Sequence, residues 1–254
     1  MPAREGSGSA KIDGVTPRTV LPLVLAAVLA AGCSSVDFWK DQFSAPTPPP
    51  GLRTSDRQGE PAQSAKPAEP AGQTFDEDVE LARTFTERYW RQEFQAAGKT
   101  YRPLQKFVGY SGDGGPDCGG QPALPENAFY CPVGHFVAYD KDWLRSLYDE
   151  SGDGAVYVII PHEIGHAVQA QLMSDFSLNV QRELQADCYG GGALKGLIDE
   201  KQLEAENGDD EELLANLAAA GDPTDAWWRP DAHGTPVQRQ QAFASGFTKG
   251  VGAC

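Results

Sequence analysis

Apolar and polar positions follow different rules in successive parts of the chain, and each rule predicts a different kind of structure. Near the N-terminus, Arg4, Lys11 and Arg18 precede an uncharged apolar stretch from Val20 to Ala31 that ends in small residues and Cys33. A basic start, a short apolar run and a small-residue end make a secretory leader, predicted over residues 1–32. Residues 33–73 show no apolar period and few large apolar side chains; Pro46, Pro48, Pro49, Pro50, Pro61, Pro67 and Pro70 punctuate them. Such a segment buries too little to offset its ordering entropy, so an extended, disordered tether is predicted.

From Thr74 the pattern turns helical. Leu81, Phe85 and Tyr89 recur every four residues beside Ala82, Trp90 and Phe94, behind the capping-box sequence Thr74-Phe75-Asp76-Glu77. This spacing predicts a helix to about Ala97, with the aromatic stripe as core packing. Between Tyr101 and Asp140 the chain is rich in Gly and Pro and carries two β-type runs, Lys106 to Tyr110 and Phe129 to Tyr139. A small irregular sheet is expected there. Trp143, Leu144, Leu147 and Tyr148 mark a short helix that ends at Gly152-Asp153-Gly154.

Ala155 to Met173 is apolar on nearly every side, the signature of a buried central helix. A further helix is predicted from Leu178 to Ile198, then an acidic segment, a short helix from Glu211 to Ala220, and a last helix from Thr235-Pro236-Val237-Gln238 to about Lys249. The fold class is α+β, mainly helical, with one small sheet in a domain spanning residues 74–254.

Charge narrows the function. Across 254 residues, 36 Asp and Glu face 21 Lys and Arg, for a net charge of -15. Phosphate backbones are repelled by most of such a surface, so nucleic acid is excluded as a partner. No apolar run reaches the roughly 18 to 20 residues of a membrane-spanning helix.

The central helix holds His162-Glu163-Ile164-Gly165-His166, an H-E-x-x-H sequence. Residues four apart share a helix face, so His162 and His166 can meet one metal ion. Glu163 lies about 100° round the helix, outside that ligand set but within reach of a water on the metal. A catalytic zinc site takes a third protein ligand. Gln169 and Leu172 occupy the places where one class of zinc protein carries Gly and a third His, so that class is excluded. Glu183-Leu184-Gln185-Ala186-Asp187 in the next helix supplies the alternative: Glu183 as ligand, Ala186 as a small contact, and Asp187 as acceptor of the outer ring proton of a ligating His. Gly190-Gly191-Gly192 either lets that helix pack closely or ends it after Tyr189.

With these motifs, and with Tyr130-Cys131-Pro132, Asp140, Tyr157-Val158-Ile159-Ile160-Pro161, Cys188, His233-Gly234-Thr235 and Gln238-Arg239, the chain resembles the bacterial family of neutral zinc metallopeptidases, zincins with a glutamate third ligand. The resemblance implies a sheet packed on the motif helix and one zinc ion per chain at His162, His166 and Glu183. It also implies Glu163 as the general base that activates a water on the zinc for peptide hydrolysis. Two positions depart from the pattern. Pro161 stands where Ala is usual and must kink the helix or begin it, and Ala167 replaces a second His.

His233 is a candidate catalytic residue that steadies the oxyanion or anchors its loop. His135 belongs to a strand or loop without a metal role. Val133 to Tyr139 resembles the edge strand beside which zincins lay an extended peptide. Leu29-Ala30-Ala31-Gly32-Cys33 resembles a lipobox, which makes Cys33 a lipidation site. The other cysteines allow three pairings in an oxidising compartment, of which Cys118 with Cys131 and Cys188 with Cys254 are favoured.

The expectation is therefore an exported, lipid-anchored zinc endopeptidase on the outer face of a bacterial cell membrane. It acts on a peptide or protein substrate as a monomer. The alternative is a non-catalytic, zinc-stabilised envelope lipoprotein that binds a protein partner. Glu163 separates the two, since a purely structural site has no use for a base.

Overall fold

The computed structural model describes residues 73–254. The predicted leader, Cys33 and the tether up to residue 72 lie outside them. The described chain forms six α-helices and a three-stranded mixed sheet, the α+β architecture expected.

Helix α1, Phe75–Ala96, begins where the capping box places it: Glu77 accepts from the Thr74 N–H and hydroxyl at 2.8 Å each, and the Glu77 N–H returns a bond to Thr74 Oγ1. Its buried stripe differs from the predicted one. Val79, Ala82, Thr86, Trp90 and Phe94 are buried, whereas Leu81, Phe85 and Tyr89 flank the stripe, partly covered. Asp78 is buried on the same face because two phenols satisfy it, Tyr157 at 2.9 Å and Tyr148 at 3.1 Å.

Strand β1, Lys106–Tyr110, pairs in parallel with β3, Phe136–Asp140, which pairs antiparallel with β2, Ala128–Cys131. The long β-run predicted from Phe129 is thus broken at residues 132–135, where Pro132 supplies no N–H for a ladder and His135 takes φ +45. The order β1-β3-β2 also corrects the edge-strand expectation: the segment ending at Asp140 is central, and β1 and β2 are the edges among the described residues. Cys131 on β2 joins Cys118, as favoured, in a small satellite core with Tyr110, Phe136 and Ala138.

Asp140 ties the sheet to the second helix. Its Oδ2 accepts from the Gly112 and Glu126 N–H groups, and its Oδ1 caps α2, Lys141–Ser151, through Asp142 and Trp143. Helix α3, Gly154–Leu172, is buried along most of its length and packs against α1, α2, β2 and the two helices that follow it. Pro161 lies well inside α3, not at its start. Its ring removes the N–H that would bond the Tyr157 carbonyl, a cost of about 3 kcal/mol that burial of the helix must offset.

Helix α4, Asn179–Asp199, runs straight through Gly190, Gly191 and Gly192, which excludes a helix end at Tyr189. The close-packing reason is visible. A Cβ on Gly191 would sit 2.1 Å from the Phe243 carbonyl oxygen, and one on Gly246 1.7 Å from that of Cys188. Glycine thus lets α4 press against α6, Pro236–Lys249, with α5, Asp209–Ala219, alongside. Cys188 on α4 bonds Cys254 at the chain's end.

Candidate metal centre

The motif histidines sit on α3 and the third candidate ligand on α4, and the helices meet where both are small. A Cβ on Gly165, the residue between Ile164 and His166, would lie 3.1 to 3.4 Å from the oxygen, Cα and Cβ of Ala186. That contact brings Glu183, one turn before Ala186, beneath the two imidazoles. Glu183 Oε2 is 3.3 Å from His162 Nε2 and 3.4 Å from His166 Nε2. Three donors each about 2.0 to 2.1 Å from a tetrahedral centre are separated by about 3.3 Å, so the spacing suits zinc. His162, His166 and Glu183 form one converging group of possible ligands; Glu163 is outside it, buried against the same cleft.

Both rings point Nε2 at Glu183 because Nδ1 is engaged elsewhere. His162 Nδ1 lies 2.8 Å from Asp187 Oδ1, the partner expected, and His166 Nδ1 lies 2.9 Å from Gln169 Oε1, a partner that the motifs do not name. Asp187 is itself gripped by Arg239, buried on α6: Nε donates to Oδ2 at 2.8 Å and Nη2 to Oδ1 at 2.7 Å. Arg239 Nη1 reaches on to the Ala220 carbonyl at 2.8 Å. In the sequence Arg239 stands out only as part of the Gln238-Arg239 pair, with no role attached to it.

Electrostatics follow from these contacts. Burial opposes the charged form of His162, yet the Asp187 and Glu183 carboxylates outweigh it and push the imidazole up to about 10. Burial alone would raise Glu183 and Asp187. Hydrogen bonds from His162 and His166 hold Glu183 far below the usual carboxylate range, and the Arg239 guanidinium holds Asp187 low.

The donors open onto a cleft of about 500 Å³. One wall is the edge strand β2 with residues 126 and 127 before it; another is apolar, from Trp143, Leu147, Val158 and Ile159. His233 lines the cleft too, with its side chain half exposed at 51% and its main-chain N–H held by Asp222 at 2.7 Å. It is not among the converging donors. His135 is buried away from them, between the Tyr130 hydroxyl at Nδ1 and the Arg102 carbonyl at Nε2.

Comparison with known proteins agrees with this chemistry. The family model described as "Putative neutral zinc metallopeptidase" matches residues 3–254. The uncharacterized protein YpfJ of Escherichia coli K12 is 32% identical over 281 aligned positions, covering 97% of this chain and 91% of YpfJ. The uncharacterized protein Rv2575 of Mycobacterium tuberculosis H37Rv is 32% identical over 171 positions, 56% of this chain and 58% of its own. No solved structure matches. With nearly its whole length matched, the chain belongs to the family of putative neutral zinc metallopeptidases.

Proposed function

We propose that the chain is a zinc-dependent endopeptidase, exported and held by a lipid on Cys33 at the outer face of the cell membrane. The observation that carries the enzymatic reading is the convergence of His162 Nε2, His166 Nε2 and Glu183 Oε2 at 3.3 to 3.4 Å, with Glu163 beside that set and facing the cleft. Among the described residues the set stops at three, as in catalytic zinc sites; structural sites close the fourth position with another side chain.

In this reading His162, His166 and Glu183 would hold the metal, and a zinc ion held there would supply Lewis acidity that polarises a carbonyl oxygen and acidifies water. Every other part of the reaction belongs to the chain. Strand β2 is an outer strand of the sheet among the described residues and lines the cleft, where main-chain groups on its outer edge can bond an extended peptide and orient the scissile bond. The Glu163 carboxylate takes a proton from the attacking water as its oxygen bonds the carbonyl carbon, then passes that proton to the amide nitrogen as the C–N bond breaks. Asp187, gripped by Arg239, keeps the His162 proton on Nδ1. His233 is assigned the role of steadying the oxyanion from across the cleft.

The purified mature chain should cleave members of a proteome-derived peptide library and lose that activity to a chelator; uncleaved peptides with zinc bound would favour the non-catalytic lipoprotein. Among the described residues no helix is long and apolar enough to cross a membrane, so attachment rests on the N-terminal sequence. Mass spectrometry of the mature N-terminus should find Cys33 acylated, and an unmodified chain starting elsewhere would remove the anchor.

A further inference from the structure

The outer nitrogens of the two histidines are held by different chemistries. An anionic carboxylate serves His162; a neutral amide, Gln169, serves His166 from one turn further along α3. Gln169 is 4% exposed, so its hydrogen bonds are made within the protein.

An amide can offer a neighbour either its oxygen or its NH2. Here two main-chain carbonyls remove the choice. The Arg182 carbonyl can only accept, and it lies 2.8 Å from Gln169 Nε2, so the amide nitrogen faces α4 and Oε1 faces His166. Gln185 closes the arrangement. Its Nε2 donates to the Cys254 carbonyl at 3.2 Å, which leaves its Oε1 to accept from Gln169 Nε2 at 3.3 Å. Cys254 is bonded to α4 through Cys188. The Gln169 oxygen can only accept, so His166 Nδ1 carries a proton, and Nε2, facing Glu183 at 3.4 Å, is the nitrogen left to bind a metal.

We propose that Gln169 is the positioning residue of His166: it selects the Nδ1–H tautomer and fixes the ring so that Nε2 joins His162 and Glu183 at one metal ion. The inference rests on the metal site proposed above and adds a residue to its support. Being neutral, Gln169 orients the ligand without adding to the negative charge that Glu183 and Asp187 already bring.

A packing role and a positioning role make opposite predictions for Gln169→Met, similar in size and apolar: it is mild if Gln169 only fills space, and it loses the acceptor if Gln169 acts through its oxygen. Gln169→Glu is the conservative control, because between the Arg182 carbonyl and Gln185 Oε1 its buried side chain stays a neutral carboxylic acid, one oxygen accepting from His166 and the hydroxyl donating toward α4. The test titrates zinc into metal-free full chain against a competing chelator, with thermal unfolding as a check on folding. Gln169→Met should bind zinc about 10- to 100-fold more weakly, and Gln169→Glu should stay within about threefold of wild type. Zinc binding by Gln169→Met equal to wild type, or weaker binding by Gln169→Glu than by Gln169→Met, overturns the proposal. Histidine-selective 15N spectra of the zinc-loaded wild type need no variant: His166 should show a protonated Nδ1 and a metal-bound Nε2, and the reverse tautomer overturns it equally. A wild-type chain that takes up no zinc overturns the metal site itself and this inference with it.

Discussion

Arg239 grips both oxygens of Asp187, Nε to Oδ2 at 2.8 Å and Nη2 to Oδ1 at 2.7 Å, while Asp187 Oδ1 also meets His162 Nδ1 at 2.8 Å. All three groups are buried, so the guanidinium keeps a carboxylate ionised behind a candidate metal ligand, where burial alone would raise its pKa. Asp187→Asn should retain zinc but weaken its affinity about 10- to 100-fold. Arg239→Met should cost about 3 to 5 kcal/mol of stability, because it strands a buried charge. With both changes together, urea unfolding should show a loss smaller than the sum of the two. Additive losses would mean that the pair is not coupled.

Much of this site is legible in the sequence, because helical spacing fixes which side chains share a face. His162, His166 and Glu183 meet as the spacing requires, and Ala186 and the three glycines are small where helices touch. The histidines' supports are less visible. Gln169 stands three residues after His166, on the same face, but a comparison of ligand spacings marks it only as the absence of another ligand. A buried polar side chain in a mostly apolar helix is the available signal. Arg239 lies on the same face as Phe243 and Phe247, and a cation on a buried face calls for a carboxylate. The edge strand escapes the sequence because strand order depends on pairing across the chain. Apolar alternation in Phe129 to Tyr139 says nothing about which segment takes the centre.

The two disulfides should contribute unequally. Cys118 and Cys131 are 13 apart in sequence, Cys188 and Cys254 66 apart. By loop entropy the first is worth about 3 kcal/mol and the second about 4. Replacing Cys188 and Cys254 by Ala should therefore lower the unfolding free energy more than replacing Cys118 and Cys131. A larger loss from the shorter loop in urea unfolding would contradict this.

Asp153, at the N-terminus of α3, faces Asp209 and Glu212 on α5, with Asp78 of α1 and Glu206 also near. Burial first, then these like charges, push its carboxyl up to about 7. The unfolded value is about 3.9, so the folded chain binds the extra proton between these limits. The contribution to stability is full below about pH 4 and is lost as pH rises through about 7. Asp153→Asn should raise Tm by about 2 to 4 °C at pH 8, a gain of roughly 1 kcal/mol in a domain of this size, and leave it nearly unchanged at pH 4. An equal shift at both pH values would exclude ionisation as the cause.

A metal site with three ligands and a separate base responds to Glu163→Gln in a way that no other site would. The substitution keeps the size and hydrogen bonding of Glu163 but cannot take a proton. Zinc content should stay near one ion per chain, as in wild type, while peptide hydrolysis falls by at least about 10² to 10⁴. Loss of zinc from this variant would place Glu163 among the ligands, and full hydrolysis with zinc retained would remove it from the chemistry.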